Sequence, residues 1–479
     1  MKKNTFYLLV IFLLYSFINF NFIKPTDFSA CSFISSACTV DLTNPITGLK
    51  VDSVQNIIYG KTPAATGFKD VLYEKDRCDG LSNQPTTCET YSDSLRYNVF
   101  FPDSINNQRI SYSSCGLPVI IMFHGGSFFE CSSLNNRGIT YLCRELSKRG
   151  FIVFNVEYRR GVLPDNRSSP NPIFNFVSAQ QLLALYRASQ DARGAIRTII
   201  YKQRVNDNGG RFQIDTSSIF IGGISAGSLI AMNAAYYEFQ YQNDQGYAGV
   251  SSVLGDIDQD FYIGDTTIEY LPKIRGVLDM WGGMSIDISK KNNPRSFFNN
   301  NNYFPPLIAF QGLNDNIFPV DTASIYYSFD SSASKKTNFN VERNCLVSGT
   351  SLSLDTRRDT ADAYGIGAEV LFRIFNYKGV SVEVYIDCDM AHGLDDDGVN
   401  FKSDFGTGYN NQDSVYSYIA GRTNTFFIAI LKNIDDSLGR SRFVECRNNR
   451  VKCNISDNAA CSYSVNDENN YTCDDYFNP

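Results

Sequence analysis

The pentapeptide Gly223-Ile224-Ser225-Ala226-Gly227 follows a short apolar run at residues 219–222 and precedes an alanine-rich, helix-like stretch at 228–238. A strand that turns sharply into a helix around G-x-S-x-G exposes the serine hydroxyl at the tip, and side chains at either flanking glycine would collide in so tight a turn. A serine hydroxyl is a poor nucleophile at neutral pH. It needs a neighbouring base, and the base needs a third group to hold its tautomer. The chain has two histidines in 479 residues, His124 and His392, so the candidate imidazoles number two.

C-terminal to the serine, an apolar run at 306–310 leads into Gln311-Gly312-Leu313-Asn314-Asp315. A lone aspartate in such a loop is often only a turn former. Asp315 gains weight from its place between Ser225 and His392, with Asp321 and Asp395-Asp396-Asp397 as competitors. His392 lies in Met390-Ala391-His392-Gly393, after the strand-like run 382–386, and is the only histidine beyond Ser225. A structural histidine is the alternative reading. On the N-terminal side, the buried-strand pattern of 118–123 ends in His124-Gly125-Gly126-Ser127. The N–H groups of Gly125 and Gly126, with that of Ala226, suit an oxyanion hole, because glycine lets the backbone approach a substrate oxygen. His124 reads better as a prop for this loop than as a proton carrier.

Around these motifs, strand-like runs at 95–101, 151–157, 274–280 and 382–386 alternate with helix-like stretches at 139–149, 177–202 and 363–376. That alternation predicts an α/β fold, a mostly parallel sheet with helices on both faces. Residues 328–360, rich in Ser, Thr and Asn, read as an inserted loop, and 440–479 as a Cys-rich extension with little periodicity. Trp281, the only tryptophan, precedes Gly282-Gly283 and either lines a substrate pocket or packs in the core. Phe128 and Phe129 are similar candidates. There is no phosphate loop, metal-ligand cluster or cofactor fingerprint in the sequence, so no cofactor is expected.

The chain resembles an esterase of the α/β-hydrolase superfamily, in the broad carboxylesterase and hormone-sensitive-lipase-like group. The resemblance rests on His124-Gly125-Gly126, Val156-Glu157-Tyr158-Arg159, the helix containing Asp191-Ala192, Gly223 to Gly227, Asp315 and His392. It spans roughly residues 45–435 and implies an α/β-hydrolase fold, a Ser225-Asp315-His392 triad and a small-molecule ester substrate. Two features depart from the group's pattern. Ser127 stands where a third glycine is usual, and the 77-residue gap from Asp315 to His392 is long, which the 328–360 insertion accounts for. The related-fold alternative is a serine peptidase, and an alternative from another class is a catalytically silent adhesion or binding protein.

Composition bears on location and partners. A formal net charge of -7 disfavours nucleic acid as a partner. Met1-Lys2-Lys3 and the apolar run at 6–23 have the layout of a secretory signal peptide, assigned to 1–24, with an uncleaved anchor as the alternative. After cleavage no stable membrane span is expected. Thirteen cysteines without a C-x-x-C favour disulfides, with Cys78–Cys88 and Cys131–Cys143 as local pairs. The odd count requires at least one thiol to be free or paired to another chain. Sequons at Asn166, Asn454 and Asn470 fit a secreted glycoprotein.

Overall fold

The computed structural model describes residues 28–29, 45–61, 94–112, 116–126, 128, 134, 137–159, 178–205, 209–236, 256–258, 273–287, 304–312, 315, 318, 322–323, 363–387, 390, 392, 412–431, 443–446 and 451–452. The leader, the sequons, the 328–360 insertion, Asp321, Asp395 to Asp397, Ser127, Phe129 and the Cys78–Cys88 pair lie outside them. The strands are β1 (Phe28–Ser29), β2 (Leu49–Lys61), β3 (Ser94–Ile105), β4 (Gln108–Ser111), β5 (Leu117–Phe123), β6 (Ile152–Val156), β7 (Ile214–Ile224) and β8 (Ile274–Met280). They continue as β9 (Met284–Asp287), β10 (Leu307–Gly312), β11 (Thr322–Ala323), β12 (Ala363–Ile366), β13 (Val382–Asp387), β14 (Phe443–Cys446) and β15 (Val451–Lys452). The helices are α1 (Arg137–Ser147), α2 (Ser178–Arg204), α3 (Ala226–Tyr236), α4 (Ala368–Tyr377) and α5 (Gln412–Leu431).

Within the main sheet the strands run β2-β3-β6-β5-β7-β8-β10-β13-β14. Neighbours from β6 to β14 are parallel, while β3 pairs antiparallel with β6 and β2 antiparallel with β3. This order and direction, from β2 through β13, is that of the α/β-hydrolase fold. From β5 the chain moves outward to β6, then returns to β7 and proceeds the other way through β8, β10 and β13. The order therefore reverses between β5 and β7. In open parallel sheets, the crevice beyond the carboxyl ends of the strands at such a reversal is where ligands bind. The His124 loop leaves β5 and the Ser225 turn leaves β7, so the fold brings both motifs to that crevice.

Alternation along the strands divides the core in two. In β5, Val119, Ile121 and Phe123 pack on the face covered by α2, α3 and α4, whereas Ile120 and Met122 pack on the face covered by α1 and α5. All seven β5 residues are buried, as a strand covered on both faces requires. Burial of each large side chain contributes about 1.5–3 kcal/mol. Helix α2 buries Leu185, Ala188, Ala192, Ala195, Ile196 and Ile199, the stripe that its spacing predicts. On the other face, Phe427 of α5 stacks on Phe220 of β7, with ring centroids 4.0 Å apart.

Two expectations are corrected, the helix start at 363–366 and the Cys131–Cys143 pair. Residues 363–366, expected to open a helix, form β12 instead and pair antiparallel with β9. Gly365 and Gly367 weaken helix propensity there, and α4 starts only at Ala368. The carboxy-terminal extension supplies β14, which adds to β13 in parallel register with Cys446 opposite Ile386. Cys143 is a free thiol, fully buried on the α1 face, so the Cys131–Cys143 pair is not formed. Burial pushes its thiol pKa up, which makes it unreactive.

One buried ion pair joins the strand layer to α2. Just beyond β6, Arg159 donates to Asp191 of α2 from its backbone N–H at 2.6 Å and from Nε at 2.8 Å. Arg159 Nη2 also donates to Gln190 Oε1 at 3.1 Å. Asp191 is fully buried, so the pair is shielded from solvent. Asp191→Ala would leave the Arg159 guanidinium inside without its carboxylate, and unfolding in urea should show a loss of about 3–5 kcal/mol. A loss under 1 kcal/mol would show that the pair does not anchor α2.

Candidate active site

Ser225 stands alone between β7 and α3 with a φ of 53°, a left-handed conformation rare for a side-chain-bearing residue. The strain is held from several sides. Its N–H donates to Met280 O of β8 at 2.8 Å, and its carbonyl accepts from Ser228 N at 2.9 Å and Leu229 N at 3.2 Å. The flanking glycines are sterically required. A Cβ on Gly223 would come within 2.2 Å of the Gly227 carbonyl carbon, and one on Gly227 within 2.1 Å of Phe123 O.

Asp315 and His392 meet this serine. His392 Nε2 is 2.7 Å from Ser225 Oγ, and His392 Nδ1 is 2.8 Å from Asp315 Oδ2. A carboxylate only accepts, so the proton sits on Nδ1 and leaves Nε2 to accept the serine hydroxyl. Asp315 is fixed by two further donors: Gln311 Nε2 reaches Oδ2 at 2.7 Å, and the Phe318 N–H reaches Oδ1 at 2.8 Å. Its side chain is wholly buried, while that of His392 keeps 11 % exposure, enough for the imidazole to face solvent.

The glycine loop beyond β5 lies over the same turn. A Cβ placed on Gly125 would be 3.4 Å from Ser225 Cβ, and Gly126 takes a φ of 108°. Ala226 opens α3, where the first amides have no partner within the helix. His124 braces this loop. Its Nδ1 donates to Gly125 O at 2.6 Å, and its ring stacks on Tyr158 at 4.4 Å. The Tyr158 hydroxyl in turn donates to His124 O at 2.9 Å.

Trp281 and Phe128 are placed in the interior. Trp281 is fully buried among Met280, Phe310 and Met390, which is the core-packing reading and not the pocket-lining one. Phe128 is also buried, with its ring edge-on to Tyr158 at 6.2 Å. Conversely, sequence reasoning passed over Gln311 and Asp279. Each is a polar residue that interrupts an apolar run near the end of its strand, Ala309-Phe310-Gln311 and Val277-Leu278-Asp279, and that interruption was the available signal. Among the described residues no His, Cys, Asp or Glu cluster could hold a metal ion.

No protein-family model and no curated protein matches the chain. Solved structures do match. An esterase from Thermogutta terrifontis with propionate bound is 14% identical, over 70% of this chain and 90% of its own, with a TM-score of 0.38. The same esterase phosphoramylated by tabun is 13% identical over 81% and 96%, with a TM-score of 0.39. Esterase B from Lactobacillus rhamnosis, inhibited by a tributyrin phosphonate, is 12% identical over 86% and 96%, with a TM-score of 0.37. The fold assignment rests on the strand order and directions of the chain itself.

Asp279, at the end of β8, adds a buried carboxyl next to this site. Its Oδ1 accepts the Ser228 hydroxyl, the backbone N–H of Gly282 also donates to the carboxyl, and Oδ2 has no partner among the described residues. Burial pushes its pKa up to about 7, the two hydrogen bonds hold it back, and the nearby Asp315 charge adds to the rise. The folded protein therefore binds a proton that the unfolded chain releases near pH 4, so this carboxyl destabilises the fold increasingly from about pH 4 to about 7. Asp279→Asn should gain stability relative to the parent across that window. The check is the Tm difference as a function of pH, and a difference independent of pH would contradict the assignment.

Proposed function

We propose that the chain is a serine carboxylic-ester hydrolase. The observation that carries this reading is the continuous hydrogen-bonded line from Ser225 Oγ through His392 to Asp315, set at a strained strand-to-helix turn. In the proposed reaction Ser225 Oγ attacks the ester carbonyl while His392 Nε2 takes its proton. Asp315 holds the imidazolium that forms. The N–H groups of Gly125, Gly126 and Ala226 receive the oxyanion of the tetrahedral intermediate. His392 then delivers its proton to the leaving alcohol, and water hydrolyses the acyl-enzyme by the same steps in reverse.

The substrate in this reading is a neutral small-molecule ester, consistent with the acidic balance of the chain. We place the protein outside the cell on the basis of its leader-like start and its cysteine content. No helix among the described residues is long and apolar enough to cross a membrane.

Ser225→Ala should abolish turnover of a short-chain aryl ester and labelling by a fluorophosphonate probe, with the fold intact by circular dichroism. Retained turnover would refute the assignment, and a folded parent protein that takes no label would favour the binding-protein alternative. Acidification should lower the rate, because a protonated imidazole cannot accept the serine proton. A profile flat from about pH 5 to 8 would count against His392 as the base.

A further inference from the structure

Ser225, Asp315 and His392 arrive on three separate loops, and one short segment touches the supports of all three. Met280, the last residue of β8, accepts the Ser225 N–H at 2.8 Å. The next residue, Trp281, donates its backbone N–H at 2.8 Å to Phe310 O in β10, the strand that leads to Asp315. Its indole Nε1–H donates at 3.1 Å to Sδ of Met390, two residues before His392. Met390 is itself tied back to β13, since its N–H donates to Asp387 Oδ1 at 3.1 Å.

The segment is also locked in place. Trp281 has a φ of 50°, an unfavourable conformation for a bulky residue that persists only where the surroundings enforce it. A Cβ on the following Gly282 would lie 2.4 Å from Ser228 Cβ, so the turn is pressed against the first turn of α3. Gly283 approaches Ile366 O of β12 so closely that a Cβ there would stand at 2.2 Å. Trp281 is fully buried, and an indole N–H in the interior is costly unless it is bonded.

We propose that Trp281 is a positioning residue for the triad, fixing the His392 loop through its indole N–H to Met390 while its backbone holds the spacing of β8 and β10. The proposal rests on the triad reading given above. Without the indole bond, Met390 keeps only its N–H bond to Asp387 Oδ1, and His392 Nε2 drifts from the serine. Misplacement of about 1 Å can cost up to about a hundredfold in rate.

The test is a double-mutant cycle on the full-length chain with Trp281→Phe, Met390→Leu and both together. Met390→Leu conserves volume and is tolerated in cores, so it carries the test alone if Trp281→Phe does not fold. Each single variant should lose about tenfold in kcat with KM within about twofold, with a parallel loss in the rate of fluorophosphonate labelling. The double variant should be no slower than the worse single one, because both remove the same bond. The emission intensity of Trp281, the only tryptophan, should change in Met390→Leu while its maximum stays that of a buried indole. Unchanged kcat, a loss confined to KM, losses that multiply, or unaltered emission would each overturn the proposal. Failure of the triad reading shows separately, as turnover retained by Ser225→Ala.

Discussion

The structure depends on how closely the end of β7, the start of α3 and the end of β5 approach one another. Gly223 and Gly227 lie in contact, and Gly227 also touches the Phe123 and His124 carbonyls. No Cβ fits at either place. Because the three backbones meet without intervening side chains, the Ser225 hydroxyl and the Gly125 loop come within a few ångströms of each other. An alanine at Gly227 would have to push β5 from β7, and those strands form the centre of the sheet.

Buried polar groups elsewhere serve the same alignment. Asp191 holds Arg159 beside the end of β6, Tyr158 carries the His124 loop, and Gln311 turns Asp315 toward the imidazole. Each is a desolvated group, which is expensive unless its partners are fixed. For Asp191 with Arg159 and for Tyr158 with His124 the partners come from different elements, so the cost is met only when those elements are correctly docked. Geometry at the triad is in that sense a product of the whole α/β layer arrangement and not of the loops alone.

The sequence made the centre of the fold legible and its periphery less so. The G-x-S-x-G turn, the His-Gly-Gly loop and the apolar runs at β5, β6, β8 and β13 all carry strong local signals, and the structure brings Ser225, Asp315 and His392 together as their order suggested. Helix α5 escaped notice because its aromatic and β-branched residues, with Gly421 and buried Thr423 and Asn424, blur a 3.6-residue period. Residues 363–366 misled because alanine and aromatic neighbours resemble a helix start, whereas pairing with β9 is a long-range choice. Trp281 could not be assigned by composition, since an indole suits a pocket and a core equally well. Its place was settled by Met390, 109 residues away.

The free thiol of Cys143 draws a different kind of consequence from the same packing. It sits on the α1 face among Ile139, Leu142 and Leu146, in a chain with twelve other cysteines. Its protection from mispairing comes from burial alone: the docking of α1 against the sheet both keeps the thiol out of reach and raises its pKa, and neither holds before α1 has docked. The layer that aims the nucleophile is therefore also a redox shield, and during folding under oxidising conditions the closure of α1 competes in time with thiol exchange.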